Sequence, residues 1–286
     1  MKAKLLTLLA VLLCATTAWA QTNVSTDQEL RAAIQINNVD IKLLADLNLS
    51  NSTLNIAEGI TVTINMNGHK LDRKLTQRGE SGGQVITVRN GATLNLSNGT
   101  LKGGWGGAGG ALVNEGGTVT LTSVTCSNNV ADDRGGGICN REGGTLTMTN
   151  CSITNNHSND KSGAKGGGGF FNEEGATATL TNVTITGNDA KVCGGGGICN
   201  FGTLTIDGCT ITGNIAGTNG GGIWQEGTLN VQGKHTITDN QDAGGKANNV
   251  YLKNGKVITV TGSLAGSNVG LNMESGTGTF TSGYNT

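Results

Sequence analysis

One unit of about 27 residues, written about five times between Gly91 and Gln232, constrains this chain more than anything else in it. GGTVTLTSVTCSNN runs from Gly116 to Asn129, GGTLTMTNCSITNN from Gly143 to Asn156 and GTLTIDGCTITGN from Gly202 to Asn214, with a weaker GATATLTNVTITGN from Gly175 to Asn188. Each leads through a variable segment to a glycine pulse: GGGICN ends at Asn140, GGGGFFN at Asn172, GGGGICN at Asn200 and GGGIWQ at Gln225. Asn114, Asn140, Asn172 and Asn200 are spaced by 26, 32 and 28 residues, a period range that signals a solenoid.

Inside a unit, apolar residues alternate with Thr, as at Leu146 and Met148 or Leu204 and Ile206, which is strand periodicity. The alternation then slips by one, to Cys151 and Ile153 or Cys209 and Ile211. Such a slip would turn the second pair outward unless the chain bends between them. Ser123, Asn150, Asn182, Gly208 and Gly233 fall in one column at the slip; Asn and Gly are the residues that tolerate a left-handed backbone. The unit therefore reads as strand, sharp turn, strand, second turn, loop, glycine pulse and third strand.

Three short strands per unit, with like residues in register, predict an all-β chain folded as a right-handed parallel β-helix. Stacking would align Val124, Cys151, Val183 and Cys209 in one interior column. Cys126, Ile153, Ile185, Ile211 and Ile237 form the next. Asn129, Asn156, Asn188, Asn214 and Asn240 would form an amide ladder at a turn. Phe170 is expected inside, while Cys139, Phe171, Cys199 and Trp224 face outward beneath the loops or towards a partner. The GGAL at 109–112, the glycine pulses and the TLTxxNCxIxxN core resemble repeats of bacterial polymorphic outer-membrane proteins and related adhesins. That resemblance, over Gly91 to Leu252, implies surface display; a C-terminal barrel such as the family carries is not expected from these residues.

The first twenty residues read as a secretory signal: Lys2 and Lys4 precede an apolar run from Leu5 to Leu13, and Ala18-Trp19-Ala20 supplies the cleavage site. A lipoprotein reading of Cys14 is the rival. No later run is long enough to span a bilayer. Residues 21–58 are expected to form an N-terminal cap of a short helix and irregular first coils, and residues 59–286 the β-helix. Thr26 with Glu29 marks a helix start, running to about Ile36 over the open end of the first coil. Lys70 to Gln84 reads as a polar loop. At the other end the repeat fades, and the final GTGTFTSGYNT reads as a minimal cap or the edge of a longer chain.

Loss of Lys2 and Lys4 leaves 17 basic against 20 acidic residues, a net charge of −3, which argues against a nucleic-acid partner. Forty-nine Gly without a single Pro would suggest low complexity if aperiodic, but here they recur. Six cysteines follow the signal. In the stacked register Cys151 and Cys209, and Cys139 and Cys199, lie two rungs apart, about 9.6 Å, beyond the reach of a disulfide. Only Cys193, in a loop, could find a partner, most simply Cys199. No cysteine or histidine set has zinc spacing, and no metal or cofactor is expected.

Charges gather in the loops before each glycine pulse: Asp132, Asp133 and Arg134; His157, Asp160, Lys161 and Lys165; Asp189 and Lys191; Asp242 and Lys246. Stacked coils would gather them along one edge, as a solvated mixed-sign rim or as a ligand-binding edge. Candidate ligand residues on that edge are Asp132, Asp133, Arg134, Asp160, Lys161, Asp189 and Lys191. Asn67-Gly68-His69 reads as a lone exposed histidine. The expectation is a secreted or surface-displayed, non-catalytic, adhesin-like scaffold, associated with a bacterial outer membrane and meeting a host or environmental glycan or a protein. The alternative is a polysaccharide lyase or hydrolase of the pectate-lyase-like fold.

Overall fold

Threonine and β-branched residues favour the extended backbone, and their alternation puts one apolar row on one face. In the computed structural model, which describes residues 21–49, 52–77, 83–160, 166–275 and 281–282, those rows form strands that stack in parallel. Thr145–Thr149 lies between the matching stretches of Thr118–Ser127 and Thr177–Thr181, residue for residue, and Thr203–Asp207 and Thr228–Gln232 continue the pile. After the bend, Cys126, Ile153, Ile185, Ile211 and Ile237 stack in one column, as the repeat alignment requires. Both rows belong to one 18-stranded sheet, and a nine-stranded sheet from Leu54–Ile56 to Leu271–Met273 supplies one strand for each of nine coils. The chain is thus an all-β parallel solenoid.

The bend is made as the slip in alternation demands. Ser123, Asn150 and Asn182 have φ of 55°, 54° and 53°, and Gly208 and Gly233 continue the left-handed column. A second left-handed column, Asn128, Asn155, Gly187, Gly213 and Asp239, turns the next residue inward. That residue is the ladder asparagine of each coil. Two further paired residues then run on before the loop departs, giving a six-stranded sheet of two-residue strands, from Trp105–Gly106 to Gln241–Asp242. This short segment carries no alternation of its own, so the sequence does not announce it.

The interior is filled by one continuous apolar cluster from Val24 to Val260. A second cluster, Ala108, Val113, Cys139, Phe171 and Cys199 with Phe201 and Trp224 against it, lies on the outer side of the nine-stranded sheet. The outward stripe is therefore covered by the protein's own loops: Phe171 is 0% exposed. Close cover needs small residues. A Cβ on Gly168 would lie 2.5 Å from the backbone of Asp189 and of Gly196, and one on Gly169 would lie 3.0 Å from the Asn188 side chain.

The helix spans Asp27–Ala33, two to three residues shorter than the periodicity suggests, with the Thr26–Glu29 capping box formed. Leu30, Ala33 and Ile34 join the main core at its first coil. The strands before residue 59 already pair in register with those after it, Val39 with Val62 and Leu54 with Ile86. Lys70–Asp72, expected within a loop, is a strand paired with Leu47–Asn48 and with Thr100–Lys102. Only Leu71 among the three is apolar and inward, so there was no alternation to read. The proposed signal segment lies outside the described residues.

Candidate functional site

The loop edge is built by the two-residue strands and the segments that follow them. Stacking brings Asp132 to the Trp105 indole of the preceding coil, whose Nε1 donates to Oδ1 over 2.9 Å. Arg134 reaches Asp133 at 2.8 Å and Glu173, one coil on, at 2.8 Å. Its guanidinium also lies 5.2 Å from the centre of the Phe171 ring, a cation–π arrangement. Burial works against that charge, but the two carboxylates outweigh it and hold the guanidinium pKa above its usual value.

Asp189 is on a paired strand rather than in a loop, directly beside His157 in the neighbouring coil. His157 Nδ1 is 3.1 Å from the Asp189 carboxylate and Nε2 is 2.8 Å from Asn159. The hydrogen bond to Asp189 raises the imidazole pKa. Asp160 is not on a solvated rim: it is only 2% exposed, next to the buried thiol of Cys193. Lys191 is exposed, while Lys161 and Lys165 lie outside the described residues. The edge thus gathers Asp133 and Arg134 with Glu173 into one pairing network and His157 with Asp189 into another, while Asp132 is held by Trp105.

Away from that edge, His69 is not alone. Its Nδ1 sits 3.3 Å from Asp46, which also pairs with Lys70 at 3.2 Å, and the Lys70 hydrogen bond lowers the Asp46 carboxyl pKa. Asp46 is 23 residues earlier, so only the coil register reveals the pair. Among the described residues no three His, Cys, Asp or Glu side chains converge as a metal site. Cys126, Cys139, Cys151, Cys193, Cys199 and Cys209 are all buried and none is in a disulfide, so Cys193 has no bridge to Cys199. Burial, with Asp160 beside it, pushes the Cys193 thiol up to about 12.

A cleft away from the loop edge was not anticipated. It lies where four neighbouring strands of the nine-stranded sheet end, from Phe170–Asn172 to Val250–Leu252, and has a volume of 420 Å³ with Glu174, Phe201, Glu226 and Lys256 among its lining residues. Its sequence signal is a pair of shortened turns, NFGT and QEGT, where other coils have NREGGT and NEEGAT.

Residues 123–141 match the Chlamydia polymorphic membrane protein (Chlamydia_PMP) repeat. No curated protein and no solved structure matches the chain. The repeat match and the solenoid together fit a β-helix repeat surface protein of bacterial type. Among the described residues no helix is long and apolar enough to cross a membrane.

Proposed function

We propose that this protein is a secreted or surface-displayed β-helix scaffold of adhesin-like character, non-catalytic, that presents its loop edge to a glycan or protein ligand. The observation that carries the reading is the way the edge charges are spent on one another: Arg134 ties Asp133 to Glu173 while resting on Phe171, and His157 is held by Asp189. Acid–base catalysis needs carboxyl groups set at a working distance around a substrate bond. These carboxylates instead neutralise cations and fix loops onto the stack, which suits a rigid recognition surface. The repeat match at residues 123–141 supports surface display.

Binding of the purified chain to bacterial and host cell surfaces and to a glycan array, with Arg134→Ala and Asp132→Ala as edge variants, tests this reading. Binding lost with the edge variants is expected. Depolymerisation of an acidic polysaccharide that disappears with Asp132→Ala and Asp133→Ala would replace it with a carbohydrate-active enzyme.

A further inference from the structure

The cleft that follows the C-terminal ends of the four strands from Phe170–Asn172 to Val250–Leu252 has a definite origin. Four residues separate Asn172 from the next strand at Thr177, and five separate Leu252 from Ile258, but only two follow Asn200 and two follow Gln225. Two adjacent coils are therefore cut back between two taller ones. At about 4.8 Å per rung, the taller turns stand about 14 Å apart, the width of a slot rather than a pit.

Both walls are fixed. On one, Glu173 bonds Arg134 and its carbonyl accepts from Ala176 N at 3.1 Å. On the other, Glu274 accepts from Lys253 Nζ at 2.6 Å and from Asn254 N at 3.0 Å. The floor is equally set, with Phe201 N and Glu226 N donating to Asn172 O at 2.8 Å and Asn200 O at 2.9 Å. Phe201 packs one side against Phe171, with ring centres 5.7 Å apart, and is left partly exposed. Glu226 is oriented by the Trp224 indole at 3.3 Å. Glu174 and Lys256 stand on opposite walls, and the hydroxyl residues Thr203 and Thr228 line the cleft where it opens onto the large sheet.

An aromatic face attracts the slightly positive C–H groups of a sugar ring, carboxylates accept strongly from its hydroxyls, and threonines offer both donor and acceptor. With two acids against one lysine, the slot does not favour an anionic chain. We propose that this slot binds a neutral hexose oligosaccharide, at a site separate from the loop edge.

Calorimetric titration of the full chain with cellohexaose, mannohexaose and maltohexaose, and with hexagalacturonate as the acidic arm, tests it. At least one neutral hexaose is expected to bind with a Kd of about 1 mM or tighter, weakened roughly tenfold or more by Phe201→Ala and by Glu226→Gln. Inserting two glycines after Phe201, which refills the slot without removing a core side chain, should abolish binding at an unchanged melting temperature. Asp133→Ala should leave it intact. No binding of any neutral hexaose, binding of the acidic one alone, or binding indifferent to the insertion would overturn the proposal; loss with Asp133→Ala alone would move the site to the loop edge.

Discussion

Asn156 and Asn188, 32 residues apart, are joined twice: the Asn188 Oδ1 accepts from both the backbone N and the side-chain Nδ2 of Asn156, each at 3.0 Å. Asn188 in turn donates to Ile153 O at 2.9 Å and to Asn214 Oδ1 at 2.9 Å. The same exchange runs from Asn129 through Asn240 to Asn249. An interior turn would otherwise leave backbone groups unpaired in each coil, and the ladder satisfies them across coils. Removing the Asn188 amide strands at least two buried polar groups at about 1–3 kcal/mol each. Asn188→Ala should therefore lower the stability by roughly 2–6 kcal/mol, read as a shift of the urea midpoint. Asn188→Asp should cost at least as much, because an ionised carboxylate can only accept.

Glycine content divides into two kinds that substitution separates. Gly168→Ala must push a methyl group against the backbone of the next coil at two points, Asp189 and Gly196, and overpacking of that sort costs about 1–3 kcal/mol. Gly59 has φ of 71° and nothing within 4 Å of a new Cβ, so Gly59→Asn, which tolerates that backbone, should be close to neutral. Thermal melts of both variants decide this.

The outer cluster should behave as core. Phe171→Ala is expected to destabilise by about 3–5 kcal/mol, the range for a buried phenylalanine, although it points away from the main interior. A loss below about 1 kcal/mol would mean that the loops do not cover the stripe.

Much of this was legible because stacking converts sequence columns into contacts. The Asn129 ladder, the bend at Asn150 and the Cys126–Ile153 column all follow from aligning repeats. What stayed hidden has no periodicity. The two-residue strands are too short to alternate, Lys70–Asp72 shows one inward apolar residue, and Asp46 beside His69 needs the rung register before it can be seen. At the candidate edge, charge type and location were readable, but pairing was not. The burial of Asp160 depends on loop packing that no repeat dictates.

Two histidines should give opposite pH dependences. His235 is buried, with Nδ1 accepting from Cys209 N at 3.1 Å and Nε2 2.8 Å from Gln232 O. Burial lowers its pKa, so the unfolded chain takes up the proton first, and stability falls as pH drops below about 6.5 towards the lower folded value. His157, raised by Asp189, contributes in full below about 6.5 and loses that contribution as pH rises through its folded value. Because this pair is partly exposed, its share is at most about 1 kcal/mol. Urea midpoints from pH 5 to 8 should lose the acid slope in His235→Asn. Asp189→Asn should lower stability mainly at the acidic end.

The thiols offer a further check. Burial pushes Cys139 up to about 12 and Cys209 up to about 11, so none of the six thiols should react with an aromatic disulfide reagent at pH 8 in the native protein. All six should react in denaturant. Two alkyl groups missing per bridge after alkylation in denaturant without reduction would reveal a disulfide and contradict the unbridged state.

Parallel stacking in register is the claim beneath all the others, and spin-label distances read it directly. Thr63, Asn95, Thr120, Thr147, Thr179, Thr205 and Asn230 form one outward column, and the native cysteines are buried from the label. With one label at Thr63→Cys and the second moved through Thr147→Cys, Thr179→Cys, Thr205→Cys and Asn230→Cys, the mean distance should grow steadily from about 14 Å to about 29 Å, near 4.8 Å per coil. A series that fails to increase in equal steps, or folds back on itself as antiparallel hairpins would make it do, would contradict the solenoid and everything built on it.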